Sequence, residues 1–175
     1  DLRMSRGLGD VYKRQKYMTT PDLSDKYPHV DFLNLQFTNF GKKGFFSGKI
    51  ETVICPDDNS KVKQILGEEG DGKILIVDGQ GSTRVALMGD MIAESAEKNN
   101  WQAVIINGCV RDVEALSNFK IGIFALGSVP KKSEKKDQGE IGINIKFGGI
   151  SIESGNWAYA DESGILISKE QLDLD

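Results

Sequence analysis

The sequence predicts a mixed α/β fold with a parallel core, and three observations carry that expectation. KILIVDG, from Lys73 to Gly79, is a continuous apolar run bounded by glycine, the mark of a strand covered on both faces. A helical stretch opening at Asp90 follows, and after it a second apolar run, AVIIN. Strand, helix, strand in close succession implies a right-handed crossover and parallel pairing. Beyond IGIFALG the pattern turns to short alternating segments separated by turn residues, as antiparallel hairpins do.

Each element has its own reason. FFSGKIETVIC, Phe45 to Cys55, is rich in Ile, Val, Thr and Phe and reads as a strand. Ser60 is placed to cap a short helix, VKQILGEE, ending near Gly70. The next helix is expected from about Asp90 to Lys98, with Met91, Ile92, Ser95 and Ala96 turned inward. NIKF and ISIE alternate around Gly148-Gly149, and WAYA and ILIS flank Asp161 to Gly164; both pairs read as hairpins with polar outer faces. No internal repeat is visible.

Composition narrows the class. Of 175 residues, 39% are hydrophobic and 27% charged, the balance of one compact domain. No apolar run reaches the roughly 18 to 20 residues of a membrane span, and no leader-like apolar stretch opens the chain, so a cytoplasmic protein is expected. Cys55 and Cys109 are too few for a disulfide framework and lack zinc-site spacing, which makes them reduced thiols. Residues 1–17 are basic and aperiodic and precede Met18, where an ordinary protein start follows; they read as an appended tail, with the domain at 18–175. Removing their five basic and two acidic residues turns 22 against 26 into 17 against 24. An acidic domain of this kind argues against a nucleic-acid surface. The exception is KKSEKK, Lys131 to Lys136, which reads either as a solvated loop or as a lid over an anionic substrate.

The chemistry concentrates in Gly89 to Asp112, GDMIAESAEKNNWQAVIINGCVRD. Asp90 falls at a helix N-terminus, where free amides and the helix dipole favour anions. Arg111 and Asp112 follow the glycine expected to end AVIIN, at the carboxyl edge of the parallel strands, where ligands of open α/β sheets bind. VDGQGS and NGCVRD should face one crevice. There Asp90 and Asp112 could approach a hard divalent cation while Arg111 offers a planar fork to a carboxylate or enolate oxygen. Blander readings exist for each: Asp90 as a simple cap, Arg111-Asp112 as a surface pair. GQGS is not a dinucleotide fingerprint, because Arg84 holds the place of the third glycine and the acidic residue after the second strand is missing. His29, the sole histidine, lies in a polar segment and reads as solvated.

SGKIETV, ILIVDGQGS, the Asp-x20-Arg-Asp spacing, NGCVRDV, FGGISI and GNWAYADESGILIS together resemble one family over about Met18 to Asp175. It is the family joining regulators of ribonuclease E activity to 4-hydroxy-4-methyl-2-oxoglutarate aldolases, class II pyruvate aldolases without a TIM barrel. The resemblance implies a swivelling β/β/α domain assembled as a homotrimer or a pair of trimers, with sites near subunit boundaries. It further implies that Asp112 helps hold Mg²⁺ or Mn²⁺, largely through water, and that Arg111 contacts the pyruvyl carboxylate or enolate oxygen. By the same resemblance Asp90 joins the metal and water network, the backbone amides of Gly89, Asp90, Met91 and Ile92 meet substrate oxygens, and Gly79, Gly81 and Ser82 line the pocket. The expected activity is retro-aldol cleavage of a small 2-oxo acid to pyruvate, with oxaloacetate decarboxylation through the same enolate. Family aldolases draw help in proton transfer from a neighbouring subunit's C-terminal region; the general base stays unassigned. The alternative is a non-catalytic protein that binds and inhibits a ribonuclease or helicase. Regulators of that kind tend to lose the aspartate after the arginine, which is kept here as Asp112.

Overall fold

The computed structural model describes residues 18–175, so the expectation for residues 1–17 lies outside the described residues. Helix α1 (Thr20–Lys26) is followed by the two-residue strands β1 (Asp31–Phe32) and β2 (Thr38–Asn39). The core then builds from β3 (Phe46–Ile54), α2 (Ser60–Leu66), β4 (Ile74–Met88), α3 (Asp90–Lys98), β5 (Ala103–Val110), α4 (Val113–Leu116) and β6 (Gly122–Ser128). Last come β7 (Glu140–Ile141), β8 (Ile145–Phe147), β9 (Ile150–Ile152), β10 (Trp157–Asp161) and β11 (Gly164–Ser168).

The main sheet runs β1-β11-β10-β3-β4-β5-β6-β2, with β7 also pairing β3. Its centre, β3 to β6, is parallel, and its flanks are antiparallel. Alternate residues of the central strands feed two cores. Leu75, Val77, Val104 and Ile106 pack under the helices with Val62, Leu66, Ile92, Ala96 and Trp101. Ile74, Ile76, Ala103 and Ile105 face the other way, against Phe46, Phe124 and the β8–β9 hairpin through Ile145 and Ile152. Apolar side chains on both faces of one strand are what period-free runs such as KILIVDG produce. The result is the β/β/α layering that the family resemblance implies, with the parallel core where the sequence places it.

Five expectations are corrected. Strand β4 does not stop at Gly79 but runs to Met88, so GQGS lies inside it, with register shifts against β5 between Asp78, Ser82, Ala86 and Met88. Gln80 and Gly81 take left-handed backbone there, with φ of 59° and 71°, an irregularity that alternation alone does not reveal. Strand β5 continues through Gly108 to Val110, so Arg111 and Asp112 follow valine and not a terminating glycine. Ser60 is the first residue of α2 and not its cap: the Asp58 carboxylate accepts its amide at 2.9 Å, and the helix ends at Leu66. On α3, Ile92, Ala93 and Ala96 are buried, whereas Met91 is 81% exposed. Strands β10 and β11 are not open on one face, because Ala158, Tyr159, Ala160, Ile165, Leu166 and Ile167 are all buried. Helix α1 covers their outer side through Leu23 against Tyr159 and Leu166. The β8–β9 hairpin follows its sequence signal: Gly148 and Gly149 supply the two positive φ values, 60° and 80°, that its tight turn requires.

Candidate active site

The carboxyl ends of β4 and β5 deliver the turn before α3 and the turn before α4 to one place. Gly89 is the N-cap of α3 in extended backbone, φ −130°. Asp112 is the N-cap of α4 and holds left-handed backbone, φ 59° and ψ 44°, a region that non-glycine residues enter sparingly and aspartate more readily than most. In that posture its Oδ2 accepts the backbone N–H of Asp90 at 3.0 Å. One aspartate thus opens α4 by its backbone and caps α3 by its side chain. The amides of Met91 and Ile92, in the first turn of α3, have no carbonyl one turn earlier within the helix.

Gly89 makes the arrangement possible. A Cβ at that position would stand 2.4 Å from Asp112 Oδ2 and 3.3 Å from Arg111 Cγ. Only a bare Cα lets the carboxylate close on the helix end. Arg111 is anchored by its amide to Met88 O at 3.0 Å, and its Nη1 reaches Pro130 O at 3.5 Å. Its Nε lies 4.0 Å from Asp112 Oδ2, with both side chains about 40% exposed. This loose contact leaves the guanidinium fork open to a ligand, and an exposed pair of this kind contributes little to stability.

A crevice of about 80 Å³ lies here, lined by Gly89, Asp90, Met91, Ile92, Arg111 and Asp112 and closed by Asn59, Ala86, Lys132, Ser133 and Lys135. Six of the residues singled out in the sequence therefore meet. Gly79, Gly81 and Ser82 are not among its lining residues: Gly79 presses on Leu87 and on the Asn107 carbonyl, and Ser82 is buried beside Gly108. Larger hollows lie elsewhere, at β1, β11 and the chain's last residues, but they lack this convergence of carboxylates, guanidinium and helix amides. His29 is exposed and remote from the crevice lining.

Sequence reasoning left the lysine-rich run between a free loop and a lid; it is a strap held down at several points. Ala86 N donates to Lys131 O at 2.8 Å, Glu134 N to Asp57 O at 3.0 Å, and Asn59 N to Ser133 Oγ at 3.1 Å. The hub is Asp58, 1% exposed. Its carboxylate accepts from Ser60 N and Oγ at 2.9 and 2.5 Å, from Lys136 N at 2.6 Å and from Gln138 N at 3.3 Å. Burial opposes its charge, yet the hydrogen bonds from Ser60, Lys136 and Gln138 together hold the carboxyl below the usual carboxylate range. Burial, reinforced by the charges of Asp58, Asp78 and Asp57, pushes the Cys55 thiol up to about 12. Sequence reading missed Asp58 and Asn59 because PDDNS reads as an ordinary polar turn.

Among the described residues no three His, Cys, Asp or Glu side chains converge as a ready-made ligand set. The donor set in the crevice is two carboxylates, Asp90 and Asp112. That suits a hard, partly hydrated cation such as Mg²⁺ or Mn²⁺, which keeps several waters and takes one or two carboxylates plus ligand oxygens. It does not suit a metal that demands a full protein cage.

Carboxylates, an arginine fork and a helix N-terminus at the carboxyl edge of a parallel sheet form an arrangement on a β/β/α scaffold whose chemistry suits a small anion. The family described as "RraA-like: Aldolase/RraA" matches residues 20–167, and the chain belongs to it. A Shewanella oneidensis relative called "Putative 4-hydroxy-4-methyl-2-oxoglutarate aldolase" is 53% identical over 155 residues, 88% of this chain and 94% of its own. The RNA-processing inhibitor RraA from Thermus thermophilis superposes with a TM-score of 0.86 at 40% identity, covering 88% of this chain and 94% of that one. A Geobacillus kaustophilus structure described as an S-adenosylmethionine:2-dimethylmenaquinone methyltransferase also gives 0.86, at 38% identity, over 89% of this chain and 97% of that one. Three such different names on one fold mean that activity must be argued from the site.

Proposed function

We propose that this chain is a divalent-metal-dependent 4-hydroxy-4-methyl-2-oxoglutarate aldolase, cleaving a small 2-oxo acid to pyruvate and decarboxylating oxaloacetate by the same route. The observation that carries the reading is the contact of Asp112 Oδ2 with the α3 N-terminus, beside Arg111 and across a glycine that leaves no room for a Cβ. Asp112 and Asp90 would hold hydrated Mg²⁺ or Mn²⁺. When bound, the cation supplies Lewis acidity toward the carboxylate and keto oxygens of the 2-oxo acid.

The chain's own groups do the rest. Arg111 pairs with the substrate carboxylate and offsets the negative charge that grows on the keto oxygen as the carbon–carbon bond breaks. The first-turn amides of Met91 and Ile92 offer donors to the same oxygens. The electron pair of the broken bond passes into the pyruvate enolate, which later takes a proton at carbon. Retro-aldol cleavage also needs a base for the 4-hydroxyl proton; decarboxylation does not, since CO₂ leaves without one. Oxaloacetate is therefore the cleaner probe of Arg111 and Asp112. A cytosolic setting fits the two free, buried cysteines, and no helix among the described residues is long and apolar enough to cross a membrane.

The test is pyruvate release from both acids with and without EDTA, for wild type and Asp112→Asn. Chelator should abolish turnover, Mg²⁺ or Mn²⁺ should restore it, and Asp112→Asn should raise the metal concentration required. Full turnover in chelator would sink the reading. The second reading, a protein that binds and inhibits a ribonuclease, draws on the likeness to the Thermus RNA-processing inhibitor. It predicts ribonuclease inhibition that survives Arg111→Ala and Asp112→Asn, with no turnover to lose.

A further inference from the structure

The crevice occupies the carboxyl ends of the parallel strands, and their amino ends carry a different chemistry. Strand register sets Ile50 of β3 beside Ile74 of β4, and Ile74 beside Ala103 of β5. One residue earlier, Lys49, Lys73 and Gln102 therefore stand in line, with Gln102 N donating to Lys73 O at 2.9 Å. The amides of Lys42 and Lys43 reach Phe119 O and Ile121 O at 3.0 and 3.2 Å, so these two lysines join Lys120 at the start of β6. Lys43 Nζ closes the row by donating to Gln102 Oε1. Five of the 17 cationic residues in 18–175 thus gather on one edge of a domain with 24 acidic ones. None of the five makes an ion pair among the described residues. The acids of this edge serve other donors: Glu69 Oε1 accepts Asn100 Nδ2 at 2.9 Å and Asp71 N at 3.2 Å, and Glu97 Oε2 accepts Lys120 N at 2.5 Å. Like charges on neighbouring strands repel, and Lys73 finds partial relief over the Trp101 ring, 5.8 Å away. Burial holds the Lys43 ammonium below the usual lysine value, and no carboxylate draws it back up.

We propose that this edge docks an acidic segment of a partner protein, a run of Asp and Glu whose carboxylates lie along the row of Lys42, Lys43, Lys49, Lys73 and Lys120. The surface stands apart from the crevice and serves with or without the chemistry proposed there. A partner that brings the missing counter-charges removes the repulsion that the free edge carries. From Lys49 to Lys43 the row crosses four strand spacings of about 4.8 Å, roughly 19 Å, while an extended peptide turns a side chain to one face about every 6.8 Å. About three acidic side chains in alternation match that span. The surroundings favour a peptide over nucleic acid. Single-stranded nucleic acid gains by stacking its bases on exposed aromatic rings, whereas Trp101 is 3% exposed and Phe40, Phe45 and Phe119 are half-buried. A long phosphate backbone would also run past the row, onto a surface where acids outnumber cations. A short acidic segment touches the row alone.

The experiment is fluorescence anisotropy at low ionic strength with two probes, a labelled oligo-glutamate and a labelled oligo-uridylate. The proteins are wild type, Lys49→Glu/Lys73→Glu, Lys42→Glu/Lys120→Glu and a charge-matched control, Lys146→Glu/Lys169→Glu, at two exposed positions elsewhere on the surface. Wild type should bind the peptide more tightly than the oligonucleotide, and added salt should weaken that binding. Each row pair should lose about tenfold or more in peptide affinity, because reversal sets like charges against each other, and the control should lose far less. Melts check the fold. Where a reversed pair melts early, Lys49→Gln/Lys73→Gln and Lys42→Gln/Lys120→Gln carry the test, with a smaller loss that the control still lacks. Wild type that ignores the peptide, a tighter grip on the oligonucleotide, or equal losses in row and control variants overturns the proposal.

Discussion

Gly89→Ala tests the site by replacing one hydrogen with a methyl group where the structure leaves no room for it. The new Cβ would lie 2.4 Å from Asp112 Oδ2, whereas ordinary contact begins at 3.4 Å, so one of the two must move by about 1 Å. The backbone of Gly89 is extended at φ −130°, which alanine adopts without strain. The movable partner is the Asp112 carboxylate, whose retreat stretches its 3.0 Å bond to the Asp90 amide beyond hydrogen-bonding range. Loss of one helix cap costs about 1 kcal/mol, a fall in Tm of about 2 to 4 °C for a chain of this size. The same displacement moves the carboxylate proposed to hold the metal and crowds the Arg111 stem, and an error of about 1 Å in a catalytic group costs about 10²-fold in rate. Pyruvate release from oxaloacetate, measured beside a thermal melt, should therefore show a large kinetic loss on a nearly native fold. An alanine variant with the wild-type rate would refute the claim that the Gly89–Asp112 contact belongs to the chemistry. A melt lowered by tens of degrees would refute the claim that the carboxylate is the part that yields.

Three further outcomes are expected. Arg111→Ala should lower oxaloacetate turnover by about 10²-fold or more and leave the melt unchanged, since its side chain is 40% exposed and its polar contacts are long. Asp58 contributes stability that is complete above its unfolded value of about 3.9 and is lost as pH falls through that value toward the depressed folded one; between about pH 5 and pH 2, wild type should lose more denaturant stability than Asp58→Asn, and parallel curves would refute this. Light scattering should give a trimer or a multiple of it, as the family resemblance implies; a clean monomer would mean that no neighbouring chain completes the crevice.

The sequence made the parallel core legible because buried strands need no alternation: KILIVDG and AVIIN are apolar on both faces, and the cores on both faces of the sheet require that. Helix α3 was equally legible, from Asp90 to Lys98. The long continuation of β4 was not. Gln80, Gly81, Thr83 and Arg84 carry turn and surface chemistry, and a strand that shifts register shows no period of two. Helical spacing places Met91 inward, yet in the first turn of α3 Ile92 takes the core position while Met91, 81% exposed, stands at the crevice. WAYA and ILIS read as a hairpin with a polar outer face because their second cover, α1, comes from far away in sequence. At the site, the pairing of Asp90 with Arg111-Asp112 was readable from spacing, but the strap's clamp was not. Asp58 binds partners 78 and 80 residues away, and no local pattern encodes that.

We read the posture of Asp112 as support for the aldolase proposal over the regulator one. If its task were only to cap α3, an Asn or Ser in relaxed extended backbone just before the helix would serve, as at most helix starts. Instead the cap comes from 22 residues further along the chain. It is held in left-handed backbone at φ 59° and faced by a glycine that sacrifices its own capping side chain to make room. Strained backbone gathers where a function over-determines it. Arg111, the next residue back, shares the same turn and is left half-exposed with only long contacts. A surface selected solely to grip a protein partner would have no need to press a carboxylate against the first helix amide in the lining of a crevice of about 80 Å³. The proposed site, which would place one negative charge beside one guanidinium for an anion small enough to enter, accounts for that arrangement.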